Sequence, residues 1–401
     1  MLKGIKILAL FVFFIPDAAW AQDSISKEEP HYNDAVVPGA ARTDLYLWKL
    51  KGKSVALVAN QTSVIGNTHL VDSLRTLGIA IKCVFAPEHG FRGTAGAGEH
   101  VNSSVDGKTG IPLISLYGDH KKPTAKDLEG INIVVFDIQD VGARFYTYIS
   151  TMHYVMEACA ENNVEFMVMD RPNPNGFYVD GPVLQKGFES FVGMDPVPVV
   201  HGMTVAEYAL MLNGESWLRN NVHCNLSYVP VANYKHADLC RIGVKPSPNL
   251  PDMKSIYLYP SLCLFEGTKV SVGRGTDKPF QLAGFPGSTV GDYAFTPQSN
   301  EGAKKPLYEG KSCRGYDLGL KYRGILAQKG LNLSWLYELY ANDPDKDHFF
   351  NDFFDKLAGN AVLKQQIVSG KKTEDIRGSW KADLDRFKKI RKKYLLYLDF
   401  E

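Results

Sequence analysis

The sequence has almost no excess of either charge: 45 Lys and Arg stand against 44 Asp and Glu in a chain of 401 residues. A net charge of +1 gives no electrostatic case for nucleic acid or an anionic membrane surface as the main partner. The apolar run Ile7–Ile15 is too short for a membrane span, which takes about 20 residues. The six cysteines, Cys83, Cys159, Cys224, Cys240, Cys263 and Cys313, show neither CxxC nor any zinc-like spacing. Cys83 and Cys159 sit inside apolar runs and read as small core residues, while bridging of Cys224 to Cys240 stays open. There is no GxxxxGK[ST] phosphate loop, no HExxH and no GxSxG elbow. Gly96-Ala97-Gly98 is a fragment of a dinucleotide fingerprint that does not follow a strand directly, so no nicotinamide cofactor, and no cofactor of any kind, is expected. Glu88, His89 and Asp137 have the residue types of metal ligands but no paired spacing, and no metal site is assigned.

What is present is a core-forming composition. Charged residues make up 22%, and 21 Phe, 20 Tyr and 5 Trp supply packing material, which excludes disorder for most of the chain. The length suits two domains. Residues 1–21 have the form of a secretory signal: Lys3 and Lys6 precede the apolar run, and Ala19-Trp20-Ala21 offers small residues for cleavage after Ala21. An exported protein, periplasmic or secreted and free of the membrane after cleavage, is expected. Residues 22–40 are polar with two prolines and read as a flexible leader.

Four short runs rich in branched residues follow: 54–59 (SVALVA), 79–85 (IAIKCVF), 131–136 (INIVVF) and 164–169 (VEFMVM). Runs without alternation suit strands buried on both faces of a parallel sheet. Between the last two, Ile149, Met152, Val155, Met156 and Cys159 recur near a helical period over 146–161. The alternation predicts an α/β, doubly wound, mostly parallel sheet over 41–262. Beyond it, 263–401 reads as a smaller α+β domain ending in a basic helix over 380–397.

The residues after each strand carry the chemistry. Asn60-Gln61-Thr62, Pro87-Glu88-His89-Gly90, Asp137-Ile138-Gln139-Asp140 and Asp170-Arg171-Pro172-Asn173 all fall at strand ends, where such sheets bind ligands. Asn, Asp and Pro are also ordinary turn and cap residues. Taken together, the four clusters point to one crevice, and its chemistry is that of carboxylates. Glycosidases commonly set two carboxyl groups about the scissile bond. Glu88 lies among apolar neighbours, where a carboxyl can be tuned to act as an acid. Arg144, Arg171 and Arg274 offer guanidinium forks for an anionic substituent, or for pairing with Asp137, Asp140 or Asp170.

Longer motifs carry a resemblance. PEHGFRGTAGAGEHV (87–101), TGIPLISLYG (109–118), VVFDIQDVGARFYTYISTM (134–152), MDRPNPNGFYVDGPVL (169–184), HGMTVAEYA (201–209), SPNLPDM (247–253) and LFEGTKVSVGRGTDKPF (264–280) occur in order. Together they resemble the exo-β-N-acetylmuramidase family, the DUF1343 proteins, from about residue 40 to RKKYLLY (391–397). The resemblance implies removal of N-acetylmuramic acid from the non-reducing ends of peptidoglycan fragments. It also implies a Rossmann-like domain carrying the active site and a smaller C-terminal domain completing the cleft. Glu88 is then expected as the acid/base, with Glu266, Asp137 or Glu99, in that order, as second carboxylate. His89, Gln139, Arg144, Asn173, His201 and Arg274 are expected to bind the sugar, with Asn60, Glu99, Asp170 and Arg171 at the same crevice. His201 has a second reading, as a cap before the helix beginning near Thr204. An Arg has a specific task on this substrate, since the lactyl carboxylate distinguishes muramic acid from N-acetylglucosamine. Two other readings stay open: a muropeptide-binding protein without activity, and a metal-dependent deacetylase or amidase.

Overall fold

Alternate residues along each long strand face two different cores. Ala56 and Val58, Cys83 and Phe85, Val134 and Phe136, and Phe166 and Val168 enter one cluster. Their neighbours Val55, Leu57 and Ala59, Val84 and Ala86, Ile133 and Val135, and Met167 and Met169 enter the other. With both faces buried, no position selects for a polar side chain, which is why these strands read as unbroken apolar runs. The computed structural model describes residues 29–88, 90–91 and 103–401. The expected signal segment, His89 and Glu99 lie outside the described residues.

In chain order, the first lobe comprises α1 (Leu47–Leu50), β1 (Ser54–Ala59), a small hairpin β2 (Val64–Ile65) and β3 (Thr68–His69), α2 (Leu70–Thr76), β4 (Ala80–Ala86), β5 (Ser104–Val105) and β6 (Pro112–Ser115). It continues with β7 (Ile133–Asp137), α3 (Tyr148–Glu161), β8 (Glu165–Met169), α4 (Val205–Gly214), β9 (Leu226–Val229) and α5 (Met253–Leu262). The main sheet runs β5-β6-β4-β1-β7-β8-β9. All its pairings are parallel except the β5–β6 edge. Numbered among themselves, the parallel strands lie in the order 3-2-1-4-5-6 of the Rossmann fold, whose chain reverses direction between β1 and β7.

The second lobe is a small antiparallel sheet, β10 (Leu282–Phe285), β11 (Tyr293–Phe295) and β12 (Cys313–Asp317), with helices α6 (Tyr322–Gln328), α7 (Ser334–Ala341), α8 (Phe353–Ala358), α9 (Val362–Val368) and α10 (Thr373–Arg391). Residues 31–401 form one unit, and one apolar cluster runs from Phe136 and Met152 in the first lobe to Leu336, Phe354 and Phe387 in the second.

Two expectations are corrected. The basic helix starts earlier than expected and stops at Arg391, not Tyr397. The tail instead crosses back onto the first lobe: Tyr394 donates to Glu215 (2.7 Å), the Leu396 N–H to Glu207 (2.8 Å) and Tyr397 to Asp170 (2.5 Å). These long-range bonds outweigh one further turn of helix. The segment 31–40 is also not a free leader. Tyr32 and Ala40 are buried, Val37 bridges to Ala232, and the Gly39 N–H bonds to the Asp170 carbonyl at 2.8 Å. Glycine is required at 39 because a Cβ there would sit 2.2 Å from the Val229 carbonyl oxygen. All six cysteines are free, buried thiols, so Cys224 and Cys240 are not bridged.

Candidate active site

A cleft of about 740 Å³ opens between the lobes, within the size range of small-molecule sites. Its walls are largely aromatic: Tyr117, Phe145, Tyr146, Tyr148, Tyr259 and Phe280 all line it. Their rings meet edge to face, Tyr146 on Tyr148 at 4.9 Å, Phe145 on Tyr259 at 5.5 Å and Tyr259 on Phe280 at 4.9 Å, the geometry that ring quadrupoles favour. Such rings give flat apolar faces to a sugar and hold the wall rigid.

One carboxyl group enters from each lobe. Glu88 stands just past the end of β4, where the Tyr117 hydroxyl bonds one oxygen at 3.1 Å and the Thr147 hydroxyl the other at 2.8 Å. A hydroxyl can rotate to donate or accept, so this pair suits either protonation state of the carboxyl. Tyr148 lies close by; burial, reinforced by the charge of Glu88, raises its pKa and keeps its phenol neutral. Glu266 comes from the short helix that follows α5. Arg274 Nε bonds its Oε1 at 2.6 Å, and the Cys263 thiol lies 3.7 Å from its Oε2. Arg274 also rests over the Phe280 ring at 4.9 Å. Burial works against the guanidinium charge, but Glu266 outweighs it and the pKa lies above its ordinary value. Lys304 and Lys305 stand exposed at the cleft's edge.

Of the described residues expected at the crevice, the structure brings Glu88, Glu266 and Arg274 together and places the others elsewhere; His89 and Glu99 lie outside the described residues. Asp137 is fully buried and gripped by Arg171, with Nε to Oδ1 at 2.6 Å and Nη2 to Oδ2 at 2.9 Å. Gln139 spends its amide on the carbonyls of Asp140 and Pro172. Arg144 is fully buried and donates to the carbonyls of Pro182, Val197 and Leu357, tying the two lobes together. Burial lowers its pKa to about 10. Asp170 accepts from the Ala206 N–H and from Tyr397, while Asn173 bonds the Met203 carbonyl. His201 accepts from the Met203 N–H at 3.3 Å, and the cap of α4 is Thr204. Burial, then the charges of Arg391 and Arg144, depress the His201 pKa to about 3. Asn60 closes a tight turn by accepting from Thr62, though its amide lies beside the Tyr148 hydroxyl.

Sequence reasoning missed Tyr117, Thr147, Tyr148, Tyr259, Phe280 and the two lysines. A signal was present in Phe145-Tyr146-Thr147-Tyr148, three residues on an irregular stretch after β7 followed by the first residue of α3.

The wall is clamped from behind. On α3, His153 lies between two carboxylates, Nε2 to Glu157 at 3.1 Å and Nδ1 to Asp195 at 3.0 Å, the second a close ion pair and not an aligned hydrogen bond. Tyr208 donates to the other Asp195 oxygen at 2.9 Å. The clamp therefore joins α3 to the segment carrying Phe191 and Val192, which also line the cleft. Burial opposes the imidazolium, but the two carboxylates prevail and raise its pKa from 6.5 to about 9. A raised pKa stabilises the fold fully below the unfolded value and loses that contribution as pH climbs through the folded one. Urea unfolding should therefore show stability falling between pH 6.5 and about 9. Asp140 and Asp170, each raised by burial to about 7, contribute a similar slope that ends near that value. The fall above pH 7 should vanish in His153→Gln; a slope that persists there would assign it to another group.

Two carboxyl groups, one from each lobe, lining one aromatic-walled cleft of a Rossmann-like domain and a helper lobe make the arrangement of a glycoside hydrolase. Comparison with known proteins gives the family. The profile of the N-terminal domain of the exo-β-N-acetylmuramidase NamZ matches residues 55–254, and that of its C-terminal domain matches residues 257–397. The chain belongs to this exo-β-N-acetylmuramidase family. It is 40% identical to the peptidoglycan β-N-acetylmuramidase NamZ of Bacillus subtilis (strain 168), covering 88% of this chain and 89% of that one. Two crystal structures of DUF1343 family proteins from Bacteroides fragilis NCTC 9343 share the fold. One has a TM-score of 0.85 at 46% identity, over 91% of this chain and 99% of that one. The other has a TM-score of 0.74 at 29% identity, over 92% and 100%.

Proposed function

We propose that this chain acts outside the cytoplasm as an exo-β-N-acetylmuramidase, releasing N-acetylmuramic acid from the non-reducing ends of peptidoglycan-derived sugars, with Glu88 as acid/base. The observation that supports the catalytic assignment is the placement of Glu88 and Glu266 on opposite lobes of one aromatic cleft. Glu88, held by two hydroxyls that serve either protonation state, gives its proton to the departing glycosidic oxygen and later takes one from water. Glu266, oriented by Arg274 and Cys263, is the second carboxylate, facing the anomeric carbon as it gains positive charge. The aromatic walls hold the terminal sugar in place and exclude water from its faces. Export rests on the form of residues 1–21.

The direct test supplies mature protein with a chromogenic β-N-acetylmuramic acid glycoside beside its N-acetylglucosamine counterpart, with and without EDTA. Release from the muramic substrate alone, unchanged by EDTA, is expected. Binding of muropeptide without release would make the chain a binding protein, and loss of release in EDTA would replace carboxylate catalysis by metal chemistry.

A further inference from the structure

The substrate's distinguishing anion needs a cation that the protein has not already paired. Among the described residues, Arg274 is the guanidinium that lines the cleft, but its charge is met by Glu266 at 2.6 Å and its face by Phe280. Arg144 and Arg171, the other forks considered from the sequence, are buried elsewhere and bound to carbonyls and to Asp137. Lys304 and Lys305 differ from all three. Both line the cleft, both are exposed, and neither has an ion-pair or hydrogen-bond partner among the described residues. The acids that line the same cleft among the described residues are Glu88 and Glu266. Glu301, on the same turn as the lysines, is exposed and does not line it.

The backbone that carries the two lysines is fixed although their side chains are free. Asn249 Nδ2 bonds the Gly302 carbonyl at 2.7 Å, and the Asn300 N–H bonds the Ala303 carbonyl at 3.0 Å. The Gln298 N–H bonds the Gly275 carbonyl at 2.8 Å, next to Arg274. The loop can sit this close because residue 275 is glycine: a Cβ there would lie 2.6 Å from the Gln298 carbonyl oxygen and 2.7 Å from Pro306. The lysine loop is thus docked on the turn that bears Arg274 and anchored to the Ser247–Leu250 stretch of the first lobe. An anchored backbone reduces the ordering cost of binding to that of the lysine side chains themselves. Their compact ammonium groups on flexible stems reach an acid without demanding one planar approach.

We propose that Lys304 and Lys305, rather than Arg144, Arg171 or Arg274, recognise the carboxylate of the substrate, the lactyl acid of the terminal muramic residue. The assignment rests on the muramidase reading for the identity of the acid. The two lysines act on binding and specificity; the chemistry stays with Glu88 and Glu266. Their exposure means that substitution removes charge without opening the core, so folding is expected to be unaffected.

The test combines a change in the protein with a change in the ligand. Calorimetric binding of the methyl α-glycoside of N-acetylmuramic acid, whose anomeric bond a β-muramidase does not cleave, is compared with that of its lactyl methyl ester, on wild-type protein and on Lys304→Met/Lys305→Met. A paired carboxylate is a charge-assisted contact, and its loss is expected to weaken binding by about tenfold or more. The wild type should therefore prefer the acid over the ester, the double variant should bind both like the wild type binds the ester, and the preference should shrink with added salt. With the chromogenic glycoside, the double variant should raise KM by the same factor with kcat nearly unchanged. Equal binding of acid and ester by the wild type overturns the proposal, and so does a preference that survives in the double variant. Because binding is read without turnover, a wild type that prefers the acid through these lysines yet releases nothing would support the proposal while refuting the hydrolase reading.

Discussion

Glu88→Gln is expected to lower kcat on a muramic acid glycoside by about 10³-fold, within the range that general acid/base groups contribute, with the fold intact. Glutamine keeps the volume of the side chain. It also keeps the bonds to Tyr117 and Thr147, since either hydroxyl can turn to meet an amide oxygen or nitrogen. What it removes is the transferable proton. Glu266→Gln should also reduce kcat strongly, but it leaves Arg274 without its partner in a half-buried position, so some loss of stability is expected with it. The informative difference lies in leaving-group dependence. If Glu88 delivers the proton, its variant should recover much of its rate on a substrate whose leaving group needs no protonation, whereas the Glu266 variant should not. Undiminished turnover by Glu88→Gln would remove it from the mechanism.

The parts of the fold that were legible are those whose cause is local. A strand covered on both faces must be apolar along its whole length, and 54–59 coincides with β1 while the other three runs fall within one or two residues of β4, β7 and β8. The strand-end rule placed Glu88 correctly because the cleft does lie at the carboxyl ends of β4 and β6. It failed to separate the clusters beside it. Asp137 looks as available as Glu88 in sequence, yet its partner Arg171 arrives from the next strand end, and Asp170 meets a tyrosine 227 residues further along the chain. A tail returning to cap a strand end leaves no local pattern; Tyr397 was read as part of a helix. The lysines were hidden for the converse reason. Lys304-Lys305 resembles any solvated turn, and only the docking of its loop against Gly275 brings it to the cleft.

The Asp137–Arg171 pair shows how a residue can look catalytic and be structural. Both groups sit at the point where the Rossmann-like sheet reverses its winding, the usual place for a ligand in such folds. Here the two charges answer each other: both carboxylate oxygens receive guanidinium bonds, and Arg171 Nη2 also reaches the Val64 carbonyl at 3.2 Å. Removing one member of a buried pair strands the other, at a cost of about 3–5 kcal/mol. Asp137→Asn should therefore destabilise the protein by about that amount in urea unfolding. At temperatures where the variant remains folded, kcat and KM should stay close to wild type, because Asp137 lines no part of the cleft. Replacing both partners by apolar residues of similar size should recover part of the stability, since no unpaired charge then remains buried. A variant as stable as wild type but slow in turnover would return Asp137 to the catalytic machinery and displace Glu266 from the second carboxylate's place.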